Sequence, residues 1–497
     1  MGGQEHWNRY SAYIRELRKA LPVGQSLDVS ERKIRIQGRE ASIFAVDGLV
    51  RAESMQFVLD FLMKLPEKNG EEGLNADDFL KSFFPFPDAS AEDDMEVILR
   101  KIFTGLFAVV VDGLDRILLM DARQYPMRGI SEPTKEKSLR GAKDGFTEGF
   151  MTNIALVRRR IRDVNLIFES HIIGSGSRTD TCLVYRKDTA DLRIVRRLGT
   201  LLDGIRIDSL TMTEQTLIEA LVRTGEKKRW KKFLLHLNPF PKVRYTQRPD
   251  IVAAHVNEGK IAVIVDNTPT VILLPACIFD FTQDVDDYYF PLLTGNYFRM
   301  LRILNIFVTL FASPLYLLMA EEYLPVYEGI RFFIPDTDFA ISIFWQFLIL
   351  EVAIDGLKLA SLNTPESLGM SLSVIGALIL GEFSVESGWF IPQTILVMAV
   401  VALASFTQPS IEIGYAIKFS RILTLIGTSL FGFIGAAAAI VLLLAVMAST
   451  KTIIGTSYLY PLIPFDGSAL RRYLFRASSP EPGGQSKSDQ SSKPSML

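Results

Sequence analysis

Ile375, Ile379, Glu382 and Glu386 succeed one another at steps of four, three and four, the spacing that lines side chains along one helix face. Acids at one mouth with a narrow apolar stretch beside them form one kind of cation pathway. The carboxylates gather cations, and the constriction blocks them by dewetting. Gly369, Ser373, Ala377, Gly381 and Ser384 give the same segment a second face of small residues, where another helix can approach closely. The competing reading is a packing helix whose acids stop at the edge of an apolar layer. Ile422–Ser449 is an alternative pore helix, since Gly427, Gly432 and Gly435 also permit close packing.

Arginines form the second group. Arg158, Arg159 and Arg160 crowd one helical segment, and Arg244 and Arg248 stand beside Asp250 in a turn. Their planar donors pair two at a time with carboxylates, which serves an assembly interface or a salt-bridge network inside one domain. Enzyme chemistry finds little. His6, His171, His236 and His255 are scattered, without a carboxylate or cysteine at ligand spacing and without a nucleotide or nucleophile motif. No catalytic residue, metal or cofactor is expected. Gly174–Asp180, GSGSRTD, reads as a phosphate-cradling loop or an ordinary turn. Glu226–Phe233, EKKRWKKF, reads as a lipid-headgroup contact or a solvated face. A net charge of −2 does not suggest a nucleic-acid partner, and none is expected.

The elements that position these groups divide the 497 residues sharply. Ile303–Ala320, Trp389–Phe406 and Ile422–Ser449 each reach the roughly 18–20 apolar residues that cross a hydrocarbon core of about 30 Å. Phe339–Leu350 and Met370–Leu380 are shorter. The first is followed by Glu351 and Asp355, the second by Glu382 and Glu386. Such acids either line water within a tilted or re-entrant segment or lie just outside the bilayer. Arg299 and Arg302 precede the first span, and the loop after it is acidic with one Arg331, so the N-terminal region faces the cytoplasm. Lys358, Lys418 and Arg421 mark inner loops or helix ends. Arg471, Arg472 and Arg476 favour an inner C-terminus, which needs an even number of crossings.

Residues 1–297 read as a cytoplasmic α/β region with lobes of about 1–90 and 91–297, separated at the polar stretch Ala89–Asp94. Ile34–Gln37 and Ala41–Val46 flank Gly38 as hairpin arms, and Met55–Leu65 has a helical period. Ile43–Val50, Leu106–Met120 and Ile261–Leu274 each interrupt apolar runs with Asp-Gly or Asp-Asn, so three hairpins are expected. The start carries spread charge and no apolar core, unlike a secretory signal. Cys182 and Cys277 read as reduced thiols. Residues 298–476 form an α-helical polytopic membrane domain of four to five segments, and 477–497 a disordered tail poor in large apolar residues.

Leu139–Ile161, LRGAKDGFTEGFMTNIALVRRRI, and Asn238–Pro269, NPFPKVRYTQRPDIVAAHVNEGKIAVIVDNTP, resemble the A subunits of bacterial spore germination receptors. Those carry G-x-x-x-G-F-T-E, N-x-x-L-x-R-R-R and P-x-x-x-Y-T-E-R-P-D. The resemblance runs from about residue 100 to about 470, and Gln247 departs from the usual Glu. Ala360–Phe390 and Ala404–Arg421 look like the branch of that family made with the machinery that moves dipicolinic acid. The resemblance implies a multi-pass protein of the spore inner membrane, its N-terminal domain facing the spore core. It implies a homo-oligomer that conducts ions beside other inner-membrane germination proteins, and the acid-bearing helix, read on its own spacing, makes monovalent cations the expected permeant ions. Nutrient binding belongs to a separate subunit in that family. The alternative is a non-conducting assembly or regulatory partner of the dipicolinic acid release complex.

Overall fold

The computed structural model describes residues 2–65, 75–83, 89–125, 141–210, 213–225, 238–284, 286–335, 340–363, 376, 381–382 and 384–475. Two compact units result. The first comprises Met1–Phe233, Val243–Ala276 and Thr452–Thr456; the second comprises Leu234–Lys242, Cys277–Lys451 and Ser457–Leu497. The division at Ala276 falls earlier than the expected boundary at 297.

The first unit holds two five-stranded antiparallel sheets. One is ordered β1-β2-β4-β5-β3 and the other β6-β7-β9-β10-β8. Strands β1 (Val29–Ile36) and β2 (Arg39–Val46) meet at Gln37-Gly38, both at positive φ, as the expected hairpin requires. β3 (Ala89–Glu92), β4 (Leu106–Val111) and β5 (Ile117–Asp121) complete this sheet. β4 and β5 turn at Asp112-Gly113 with Leu106 opposite Asp121. Phe44, Ala108 and Leu119 pack with Leu17 and Ile98 on one face, while Ile43, Phe107 and Leu118 pack with Val58 and Leu62 on the other. Both faces are covered by helices, which explains why β4 is apolar throughout rather than alternating.

The second sheet contains β6 (Leu166–Ile173), β7 (Thr179–Arg186), β8 (Arg244–Thr246), β9 (Ile261–Val265) and β10 (Val271–Leu274). Leu183, Val263 and Ile272 pack against Val195, Leu198 and Leu221 of the helices Leu192–Asp203 and Thr213–Gly225. Among the described residues the sheets repeat one plan: hairpin, two helices, an edge strand, a helix, and a closing hairpin.

Ala89–Glu92, in the stretch expected to separate the lobes, is edge strand β3, paired with β5, and its partial exposure suits small and polar residues. Ile43–Val50 is not a hairpin, because after β2 the chain turns at Asp47-Gly48 into the helix Ala52–Met63. Gly48 is at φ 83°, and a Cβ there would lie 2.9 Å from the Ala155 Cβ. The other two Asp turns do close hairpins, β4–β5 and β9–β10.

The second unit is helical. Leu292–Ala320 and Ile411–Ser449 are long and apolar enough to cross a membrane, and Ile343–Asn363 has 21 residues. The run expected from Trp389 begins its helix only at Pro392 and ends at Phe406, 15 residues later. Proline sets the first helical φ and holds Ile391 extended. Ile411–Ser449 folds back on itself at Gly432, where φ is 57° and ψ −137°. A Cβ on Gly427 would lie 2.6 Å from the Gly435 carbonyl oxygen and 3.4 Å from the Ala439 Cβ, whereas positions eight apart in a straight helix are about 12 Å apart. The flagged glycines therefore form the inner seam of a helical hairpin.

Candidate functional site

Glu351, Asp355 and Lys358 lie on Ile343–Asn363 at steps of four and three, and Lys418 and Arg421 lie three apart on the first arm of the hairpin. Both spacings present their side chains on one helix face. The Arg421 Nε donates to Glu351 Oε1 at 2.6 Å, and its Nη1 donates to the Thr309 carbonyl at 2.8 Å. Lys418 Nζ lies 3.3 Å from Glu351 Oε2 and also pairs with Asp355. Glu351 is 2% exposed and Arg421 3%. Lys358 sets its ammonium 5.0 Å from the Phe406 ring centre, a cation–π arrangement.

The cluster borders a cavity of about 360 Å³ whose apolar wall includes Ile354, Met398, Val401 and Phe406. Thr309 Oγ1, Asp355 Oδ1 and Gln408 Oε1 border it too, and have no hydrogen-bond partner among the described residues. Three cationic and two anionic side chains thus surround a space edged by unpaired oxygens. Water or a passing polar species can satisfy those oxygens, since an unpaired buried oxygen costs about 1–3 kcal/mol. Among the described residues, no group of three or more His, Cys, Asp or Glu could hold a metal ion.

Glu351, Asp355, Lys418 and Arg421 meet inside the helical unit, at a cavity that can hold water. Opposite charge lets Ile343–Asn363 continue helically through Glu351, Asp355 and Lys358. The pairing is 70 residues apart, so the legible signal was one cluster of acids and one of bases, each in an apolar setting. Of the proposed pore residues, Ile375 and Ile379 lie outside the described residues, as do the basic run from Glu226 and the tail from 477. Glu382 is described and exposed, and Glu386 ends the short helix Ser384–Glu386, also exposed.

The arginines find partners within the chain. Arg158 is fully buried; its Nε donates to Asp28 Oδ2 at 2.5 Å and its Nη2 to Asp28 Oδ1 at 2.9 Å and the Leu166 carbonyl at 3.0 Å. Its guanidinium lies between Phe103 and Phe168, one from each half of the first unit. Arg159 stacks over Tyr125, and Arg160 pairs with Asp144. Arg248 makes a two-bond pair with Asp250 at 3.1 and 2.8 Å, while Arg244 lies 3.3 Å from His255. In GSGSRTD, the Gly176 and Ser177 amides donate to the Asp208 carbonyl, so these donors serve a turn.

The Bacillus/Clostridium GerA spore germination protein family matches residues 15–483. Stage V sporulation protein AF of Bacillus subtilis is 32% identical over 460 residues, covering 92% of this chain and 90% of that one. Spore germination protein KA of Bacillus subtilis is 29% identical over 483 residues, covering 94% and 85%. The crystal structure of the N-terminal domain of the A subunit of the Bacillus megaterium spore germinant receptor GerK3 is 28% identical, with a TM-score of 0.37. It covers 53% of this chain and 92% of that one.

Proposed function

This chain belongs to the Bacillus/Clostridium GerA spore germination family, and on that premise we propose that it is a membrane subunit of the spore germination machinery that forms a homo-oligomer and conducts monovalent cations. The observation that carries this reading is the charge cluster Glu351–Arg421–Lys418–Asp355 beside a cavity with unpaired oxygens. Such groups inside a bilayer are costly and mark polar pathways. Glu382 and Glu386 are the cation-gathering acids, and Ile375 with Ile379 the constriction. This reading puts the protein in the spore inner membrane, its N-terminal unit facing the core.

An even number of crossings suits the geometry. Ile454 belongs to the core of the N-terminal unit, so residues 452–456 share that unit's side and the number is even. Phe390 packs with Tyr316 and Phe333 near the end of the first span, while Phe406 meets Lys358 near the end of the second. Pro392–Phe406 thus runs back toward the first side. The hairpin adds two crossings.

A second reading, a non-conducting assembly partner of the dipicolinic acid release complex, is favoured by the ten-stranded first unit. Planar-bilayer current from reconstituted protein separates the two. The channel reading expects leak in Ile375→Ala or Ile379→Ser and weaker cation entry in Glu382→Gln/Glu386→Gln. Parent-like current in all of them moves the pore elsewhere, and no current in the parent favours the partner. An assembly role for Arg159 and Arg244 is tested by oligomer size in Arg159→Ala and Arg244→Ala, and unchanged size removes it.

A further inference from the structure

At the foot of the first span the chain builds a small platform from its last described residues. Tyr460–Asp466 leads into the helix Gly467–Leu474, capped by Asp466, which accepts from the Ser468 and Ala469 amides at 3.0 Å each. Arg299, on the first turns of Leu292–Ala320, donates to the Arg472 and Tyr473 carbonyls at 3.2 Å each. The Tyr473 hydroxyl donates to Asp280 at 3.2 Å, and its ring lies 5.6 Å from Phe279. The platform is therefore held at the depth where the span enters the bilayer.

Its outward surface is apolar where a water-facing loop would be polar. Ile463 is 54% exposed and Phe465 74%, with Leu462 and Phe475 also exposed. Arg471 and Arg472 stand exposed on the following helix. On the first turns of the span, Leu293 and Tyr297 are exposed as well. We propose that Leu462–Phe465 inserts into the headgroup layer of the core-side leaflet while Arg471 and Arg472 bind anionic lipid phosphates, making the platform an interfacial lipid-binding foot. Apolar wedge and flanking cations are the two components of interfacial binding. The inference rests on the membrane reading of Leu292–Ala320.

The test uses full-length protein in phosphatidylcholine vesicles with or without phosphatidylglycerol, carrying an environment-sensitive dye on Phe465→Cys. Nitroxide-labelled lipid is the quencher, and parent protein, whose two cysteines are buried, is the blank. Ile463→Cys is the second position and Phe307→Cys, on the exposed face of the span, the reference. Quenching at 465 and 463 is expected, stronger with phosphatidylglycerol. The seating equilibrium should fall about fivefold per arginine in Arg471→Gln and Arg472→Gln, from about 1 kcal/mol each. Quenching at 307 alone overturns the foot while leaving the span; quenching at none of the three overturns the membrane reading itself. Quenching at 465 that ignores lipid charge and both arginines refutes anionic-lipid binding. A dye signal that fades as the protein is diluted in lipid assigns the surface to a second copy instead.

Discussion

Replacing Glu351 by Gln should damage the helical unit more than any surface change. Its carboxylate is shared by the Arg421 guanidinium and the Lys418 ammonium, and both it and Arg421 are nearly sealed from solvent. Removing one partner of a buried pair costs about 3–5 kcal/mol, because the other charge stays buried without compensation. A unit of this size loses about 2–4 °C of Tm per kcal/mol, so Glu351→Gln should melt roughly 6–20 °C below the parent. Arg421→Gln should fall in the same range. The double variant Glu351→Gln/Arg421→Gln leaves neither charge behind, so it should recover part of the loss, with a coupling of about 0.5–3 kcal/mol. Differential scanning fluorimetry of detergent-purified protein, with size-exclusion chromatography after heating, reads all three variants. Strictly additive shifts, or a Glu351→Gln Tm within about 2 °C of the parent, would refute the claim that this pair holds the helices together.

Arg158→Ala strands Asp28 in the first unit, at a cost of about 3–5 kcal/mol; Arg158→Lys should rescue little, because one ammonium cannot serve the carboxylate and the Asp163 and Leu166 carbonyls together. Limited proteolysis of the N-terminal unit reads both. Gly432→Ala places a Cβ 2.7 Å from the Tyr323 ring at a φ of 57° and should cost at least about 1–3 kcal/mol in backbone strain, seen as a lower melting temperature and lower yield. The Ala469 amide and the Ser468 hydroxyl hold the Asp466 carboxyl down to about 2, below the usual carboxylate value of about 4. Its capping contribution is therefore complete above about pH 4 and lost as pH falls through about 2. The stability gap between the parent and Asp466→Ala should stay constant from neutrality to about pH 4 and then close.

Local chemistry was legible in the chain. Gln37-Gly38, Asp112-Gly113 and Asp266-Asn267 announced three turns because positive φ selects those residue types at a single position. Non-local facts were hidden. The shared strand order of the two sheets follows from pairing between distant segments, and the residues of the two halves do not echo each other strongly enough to announce it. Ala89–Glu92 looked like a linker because an edge strand tolerates polar residues. Gly427, Gly432 and Gly435 were conspicuous, yet composition alone cannot distinguish packing against another helix from a chain packing against itself. Charges that break an apolar run looked like boundaries until their partners appeared on another helix.

Ile454 imposes an order in time. It sits 3% exposed in the core around Leu198, Leu217 and Val263, with Gly455 against the Arg197 guanidinium. On the ribosome, the five strands of the second sheet are complete once Leu274 has emerged, but the residue that plugs their core is translated only after the whole hydrophobic region. Until then the second sheet lacks that side chain in its core. A chain released before Thr452 keeps that core unsealed, so a truncated product carries an exposed apolar patch of the kind that quality-control proteases grip. Full closure of the sheet-bearing unit thus reports that the helical unit has been made.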